Sequence, residues 1–407
     1  MSTLPGRNVL ILDRDRVITS RGAITDVPRT RGSAEMMDRF AGLFHGDGTV
    51  FFTARDNHWQ GLAETPGWTV TGSEAWQTAT RHDTRIRFGH LGLIDPADDP
   101  MVIYGNRMGN AADPTTGGLL VTGVLHQLWY DLIGVPFYAE GGTTSALLLE
   151  ATVHVRGEYP LRRWDDPHAP RVSESPWAGP LGDKPGDGNG VTLDRNAQFL
   201  AAAGQVVLPL DGLERHDQAA APGLRHGIGY WCIRVPENPE PRLPHPCGAG
   251  AVPGELLWVT SPTAEFLTEL GCHLDITAAW TCARTRGRRL LSGRGTHDGG
   301  KWYERLRDAR QLLLESEDPD AASILAAVKE TYRRGVGALN RNTGRWYRPD
   351  WQQFIHATAR ISMWRAMHHI GQKEDLWPAA TQTDSVTYAR TPATARIGDG
   401  MGEWRIL

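Results

Sequence analysis

The chain has 407 residues, 40% of them hydrophobic and 22% charged, with a formal net charge of −4. That is length for two or three domains with sizeable cores, in a composition ordinary for a soluble globular protein. No apolar run approaches the roughly 20 residues that span a bilayer, and residues 1–7 lack the apolar stretch of a signal peptide, so a cytoplasmic protein with no membrane partner is expected.

Taken in order, residues 9–12 and 50–53 read as buried strands. Residues 35–44 space their apolar side chains as a helix does, which implies an α/β layer within a first domain of residues 1–150. Residues 151–190 read as a connector, with Pro, Gly, Asp and Trp concentrated from 163 onward. A second domain starts at Val191, with further strands at 229–235 and 255–260. Helices follow at 302–314 and about 320–334, joined by the polar turn 315–320 as an antiparallel hairpin. A long helix at 351–370 then leads into a strand that ends at Asp384.

The negative net charge argues against nucleic acid as a partner, but its distribution does not. Residues 281–365 carry 17 Lys and Arg against 9 Asp and Glu. Such a patch can bind phosphates, and it reads equally well as a solvated surface. The four cysteines, Cys232, Cys247, Cys272 and Cys282, form no Cys-x-x-Cys pair. With His245 and His273 they match no standard zinc spacing.

Two carboxylates stand out. Asp194 leaves a short apolar strand (Val191, Leu193) and enters an Ala-rich helical run, while Asp384 sits at the tip of a tight hairpin, Gln382-Thr383-Asp384-Ser385. Aspartates on neighbouring strand ends are what a pair of magnesium ions needs for phosphoryl transfer. Between them in the chain, Lys329 and Arg333 are four apart on one helix, and Arg307 and Arg310 are three apart on the preceding one. Four cations aimed into one gap would suit a triphosphate. The alternative is that they simply solvate the hairpin.

These segments resemble family B DNA polymerases, and within them the protein-primed branch of phages and linear plasmids, over roughly residues 191–407. Asp194, followed five residues later by Phe199, resembles that family's motif A. Residues 329–337, with Lys329 eight positions before Gly337, resemble motif B, although Arg333 and Val336 stand where Asn and Tyr are usual. Thr383-Asp384-Ser385 resembles motif C, with Gln382 replacing the first of its two aspartates. Residues 354–360 look like the helix after motif B, and 397–403 like the glycine-containing segment after motif C. Residues 302–310 and 348–351 also resemble the telomere-associated, polymerase-like proteins of actinobacteria with linear DNA.

The resemblance implies a DNA-directed DNA polymerase, active in replication on a DNA template and primer with dNTPs, or on the hydroxyl of a terminal protein. It implies Mg²⁺ (or Mn²⁺) held by the catalytic Asp194 and Asp384. Lys329, Arg310 and Arg333, with Arg307 beside them, would hold the triphosphate. Phe199 would exclude a ribose 2′-hydroxyl, and Gly337 would admit the nascent base pair. The implied fold is a mixed α/β and α+β multidomain one. A ribonuclease-H-like, degenerate exonuclease-type domain would fill residues 1–150, a palm 191–300 and 341–407, and a fingers hairpin 301–340, with no thumb. Gln382 and the missing thumb leave an alternative, a catalytically weak polymerase-derived protein that binds telomeric DNA ends and recruits a terminal protein. Asp13 and Asp15 follow the first strand. They read as the strand end of the degenerate exonuclease, although with Thr53 they also resemble the opening motifs of haloacid-dehalogenase-type phosphatases.

Overall fold

The computed structural model of the chain describes residues 9–13, 16–19, 24–26, 33–44, 47–52, 66–73, 76–90, 116–137, 141–153, 178–180, 190–217, 223–248, 250–293, 300–341 and 346–407. They form two compact units, residues 1–144 with 308–331 and residues 145–307 with 332–407.

The first unit is built on seven strands: β1 (Val9–Asp13), β2 (Arg16–Thr19), β3 (Ile24–Asp26), β4 (Gly48–Phe52), β5 (Thr69–Ser73), β6 (Trp76–Arg81) and β7 (Thr84–His90). Their order in the sheet is β3-β2-β1-β4-β7-β6-β5. β4 runs parallel to both β1 and β7, and the remaining neighbours are antiparallel. Helix α1 (Ser33–Leu43) covers the sheet because its apolar residues recur at helical spacing. Met37 and Phe40, with Phe44 just beyond the helix, are buried against Leu10, Val50, Trp68, Ile86 and Phe88. Each fully buried side chain of this size contributes about 2 kcal/mol. The expected strands and helix of this region are therefore present, with ends shifted by one or two residues. Asp13 closes β1 opposite Arg16, whereas Asp15 and Thr53 lie outside the described residues.

Two helices that the sequence did not signal follow, α2 (Thr116–Ile133) and α3 (Gly141–Thr152). Gly141 is required where it stands, since a Cβ there would lie 2.7 Å from the carbonyl oxygen of Glu330.

The second unit holds β8 (Ala178–Pro180), β9 (Val191–Arg195), α4 (Gln198–Gln205), β10 (Leu208–Pro209), β11 (Glu214–Asp217), β12 (Gly227–Arg234), β13 (Leu256–Thr260), α5 (Ser261–Glu269), β14 (Asp275–Ala283) and β15 (Gly287–Arg288). The hairpin helices are α6 (Trp302–Leu314) and α7 (Ala321–Ala338), both of which cross from one unit to the other along the chain. The chain then runs through α8 (Pro349–Glu374), β16 (Ala380–Gln382), β17 (Ser385–Tyr388) and β18 (Trp404–Ile406). The strands form a five-stranded sheet, β18-β9-β17-β16-β8, a four-stranded one, β11-β14-β12-β13, and the pair β10-β15. All pairings in the five-stranded sheet are antiparallel. Its edge strand β8 comes from the segment that reads as a connector, so that stretch is partly structural.

Helix α8 organises this unit. Leu193, Val386 and Trp404 of the sheet share one core with Ile361, Met363, Trp364, Met367 and Ile370 of the helix. Its start is fixed by a buried ion pair. Arg348 donates to both oxygens of Asp350 (2.9 and 2.6 Å) and to the carbonyls of Leu210 (3.2 Å) and Pro209 (2.7 Å). Both side chains are essentially inaccessible, at 1% and 0% exposure. A charge so deeply buried is tolerable only with partners of this number and geometry. At the other end, half-buried Glu374 accepts from Arg390 (3.0 Å), the backbone N–H groups of Ala393 (3.0 Å) and Thr394 (2.7 Å), and the Thr394 hydroxyl (2.6 Å).

Candidate active site

Side chains alternate along β9, so Leu193 enters the core while Thr192 and Asp194 face the opposite side of the sheet. The register sets Ser385 of β17 on one side of Asp194 and Arg405 of β18 on the other. On the same face, the hydroxyls of Thr192 and Thr387 lie 2.9 Å apart.

Asp384 occupies the second position of the two-residue turn between β16 and β17. The N–H of Arg195 donates to its carbonyl at 2.9 Å, which ties the turn to the end of β9. The Ser385 hydroxyl donates to the carbonyl of Gln382 at 2.9 Å and closes the turn from within. Thr383 and Ala197 take left-handed φ values of 57° and 51°. Side chains make that conformation costly, most of all β-branched ones. These are two of four such non-glycine residues among the described residues, and they flank the two aspartates.

Burial, and after it the negative charge of Asp194, push the Asp384 carboxyl above the usual carboxylate range. Arg405 works in the opposite direction, and its guanidinium donates to Asp194 Oδ2 at 3.2 Å.

The segment after Asp194 is braced by the end of the chain. Asn196 donates through its N–H to the Glu403 carbonyl (2.9 Å) and through Nδ2 to that of Gly398 (2.7 Å). The Arg195 guanidinium, its pKa lowered by burial, donates to the Ser362 hydroxyl at 3.0 Å. The Glu403 carboxylate accepts the Gly400 N–H at 2.8 Å and pairs with Arg396 at 2.6 Å. A Cβ on Gly398 would collide with that carboxylate. The glycine-containing segment is therefore a loop folded around Glu403 that delivers β18 to β9.

Among the other expected site residues, Phe199 is half-buried on α4, its ring 5.1 Å from that of His356 on α8. The four hairpin cations do not share one environment. Arg307 lies over the Tyr303 ring at 5.3 Å, Arg310 is buried, Lys329 is half-buried and Arg333 is exposed. Beyond the neighbouring turns of its own helix, no atom of the described residues lies within 4 Å of where a Cβ on Gly337 would stand, while one on Gly335 would run into Ser145. The structure thus brings Asp194 and Asp384 together and adds Arg405 and Arg195, which the sequence did not flag. A three-residue strand, Trp-Arg-Ile, is too short for alternation to announce it.

Two mutually repelling carboxylates fit a hard cation that completes its shell with phosphate oxygens and water, as Mg²⁺ does. Among the described residues no three His, Cys, Asp or Glu side chains gather in one place as metal ligands, and the cysteines are free. No described helix is long and apolar enough to cross a membrane.

No protein-family profile and no curated protein matches the chain. Among solved structures, phi29 DNA polymerase complexed with primer-template DNA and incoming nucleotide is similar over 98% of this chain and 84% of its own, at 11% identity and a TM-score of 0.47. The orthorhombic crystal form of phi29 DNA polymerase is similar over 96% of this chain and 80% of its own, at 11% identity and a TM-score of 0.45. The family B DNA polymerase of the hyperthermophilic archaeon Pyrobaculum calidifontis is similar over 96% of this chain and 54% of its own, at 14% identity and a TM-score of 0.35. What this mixed α/β chain is similar to, at low identity, is therefore a set of DNA polymerases.

Proposed function

We propose that the protein is a polymerase of the protein-primed family B kind, which transfers a nucleotidyl group from a dNTP to a primer 3′-hydroxyl or to the hydroxyl of a terminal protein at DNA ends. The observation that carries this reading is the pairing of Asp194 with Asp384. A main-chain hydrogen bond holds them on adjoining strand ends, and the charge of one raises the proton affinity of the other. A protein has little structural reason to build such a pair, and a site for divalent cations has every reason.

Asp194 and Asp384 would hold Mg²⁺, which when bound acidifies a hydroxyl and screens phosphate charge. This chain's own residues would position the reactants. Lys329, Arg310, Arg333 and Arg307 would screen the triphosphate, Phe199 would set its bulk against a 2′-hydroxyl, and the open backbone at Gly337 would receive the base pair. In the first unit, the antiparallel run β3-β2-β1 continued in parallel by β4 and β7 supports a ribonuclease-H-like domain.

The test is extension of a labelled primer on a short template with Mg²⁺ or Mn²⁺, by wild type and by Asp384→Asn, with a candidate terminal protein as alternative primer. Extension by the first and not the second is expected. One observation favours a second reading, a DNA-end binder that recruits a terminal protein without synthesis: Arg405 pairs with Asp194 at 3.2 Å. Retained binding to DNA ends with no extension by wild type would select it.

A further inference from the structure

We propose that Arg405 is a displaceable counter-ion: it holds the Asp194 carboxylate in place, competes with a divalent cation for it, and is released when the cation arrives. This rests on the polymerase reading of the Asp194–Asp384 pair.

Comparison with the buried Arg348–Asp350 pair of the same unit shows why this one is built to open. Arg348 and Asp350 are joined by two hydrogen bonds, further fixed by two carbonyls, and closed to water. Arg405 makes a single bond, to one oxygen of Asp194, and its side chain is 51% exposed against 22% for Asp194. A pair of the second type is weak and exchanges readily with solvent or with other ions. Its backbone, by contrast, is fixed: β18 is registered on β9 with Arg405 directly opposite Asp194, so the guanidinium can leave without leaving the site.

Charge also favours exchange. One guanidinium faces two carboxylates, since the turn that carries Asp384 is tied to the end of β9 beside Asp194. The three groups together remain net negative and continue to attract a doubly charged ion. Once freed, Arg405 stays on the sheet face that carries Asp194 and Ser385, where phosphate oxygens arriving with the cation offer it a new acceptor. It is thus a positioning residue for the substrate rather than a metal ligand.

The experiment is a titration of Mn²⁺ followed by the electron paramagnetic resonance of the free ion, with wild type, Arg405→Gln, Arg405→Lys, Asp194→Asn and Asp384→Asn. Near-ultraviolet circular dichroism checks that each variant is folded. Removing one unit charge about 8 Å from a doubly charged ion in water corresponds to about a five-fold change in affinity. Arg405→Gln is expected to bind Mn²⁺ about five-fold more tightly than wild type, Arg405→Lys like wild type, and the two Asn variants weakly. If both Asn variants lose binding while Arg405→Gln is no tighter than wild type, the counter-ion is overturned and the polymerase reading stands. Equal tightening in the Lys and Gln variants overturns it too, because charge is then not the cause. No Mn²⁺ bound by wild type or Arg405→Gln overturns both.

Discussion

The N–H of Arg195 reaches the carbonyl of Asp384 across 2.9 Å, so the carboxylate in the turn is positioned by the backbone of the residue that follows the other carboxylate. Replacing either side chain leaves this bond intact. Asp384→Asn should therefore lower primer extension about 1,000-fold, the scale of several kcal/mol of lost charge stabilisation, without unfolding the site. Its folded-state carboxyl is raised, so the folded protein binds that proton more tightly than the unfolded chain does. Stability from this group is thus greatest at low pH and is lost as pH rises past the ordinary carboxylate value through the raised one. At neutral pH the Asn variant should melt at or above the wild-type temperature. A clear drop in Tm would identify Asp384 as a structural residue instead.

Thr383 carries the strain of the turn with φ at 57°. Asparagine tolerates that region far better, so Thr383→Asn should gain about 1 kcal/mol in denaturant unfolding. A loss of stability would mean that the threonine methyl and hydroxyl contribute more than the backbone costs.

Asp350→Ala would strand the Arg348 charge in an inaccessible site. A cost of about 3–5 kcal/mol is expected, measured by urea unfolding of the intact chain. Replacing both residues together should cost less than the single change, because no orphan charge remains.

Gly337→Ala separates folding from function. Its Cβ would meet nothing within 4 Å among the described residues outside its own helix, and alanine in a helix is about 0.5–1 kcal/mol better than glycine. The variant should be more stable, yet extend primers more slowly if a nascent base pair lies against this backbone. Unchanged extension would remove Gly337 from the site.

Glu374 links the end of α8 to residues 390–394. Hydrogen bonds from the side chain and backbone of Thr394, then from Ala393, hold its carboxyl down to about 2. The stabilisation is present above the ordinary glutamate value and is lost as pH falls from there toward 2. Protection of the Ala393 and Thr394 amides, measured against the intrinsic exchange rate at each pH, should fall over that window before that of the sheet residues. Glu374→Gln should flatten the dependence.

Local signals made much of this legible. Helix α6 begins and ends where its apolar spacing does, and the Gln382–Ser385 turn showed itself through small and β-branched neighbours. Helices α2 and α3 were silent for a physical reason. Their apolar residues leave no consistent polar face, so there is no contrast to read. Asp194 and Asp384 stood out as carboxylates at a strand end and a hairpin tip, and the resemblance gave them a shared role, whereas Arg405 depends on strand register, a long-range property that no local pattern encodes. The burial of Arg348 and Asp350 has no local signal either, because the carbonyls of Pro209 and Leu210 that make it tolerable come from far along the chain.

The loop around Glu403 has a consequence for how such a protein tolerates insertions. Side chains alternate along β18, so a slip of one residue would set Trp404 or Ile406 opposite Asp194 in place of Arg405. One extra residue between Gly398 and Gly402, if passed into the strand instead of being absorbed by the loop, would exchange a cation for an indole or an alkyl group beside the acid. The length of a glycine loop, a feature with no chemistry of its own, acts here as a dial on local charge.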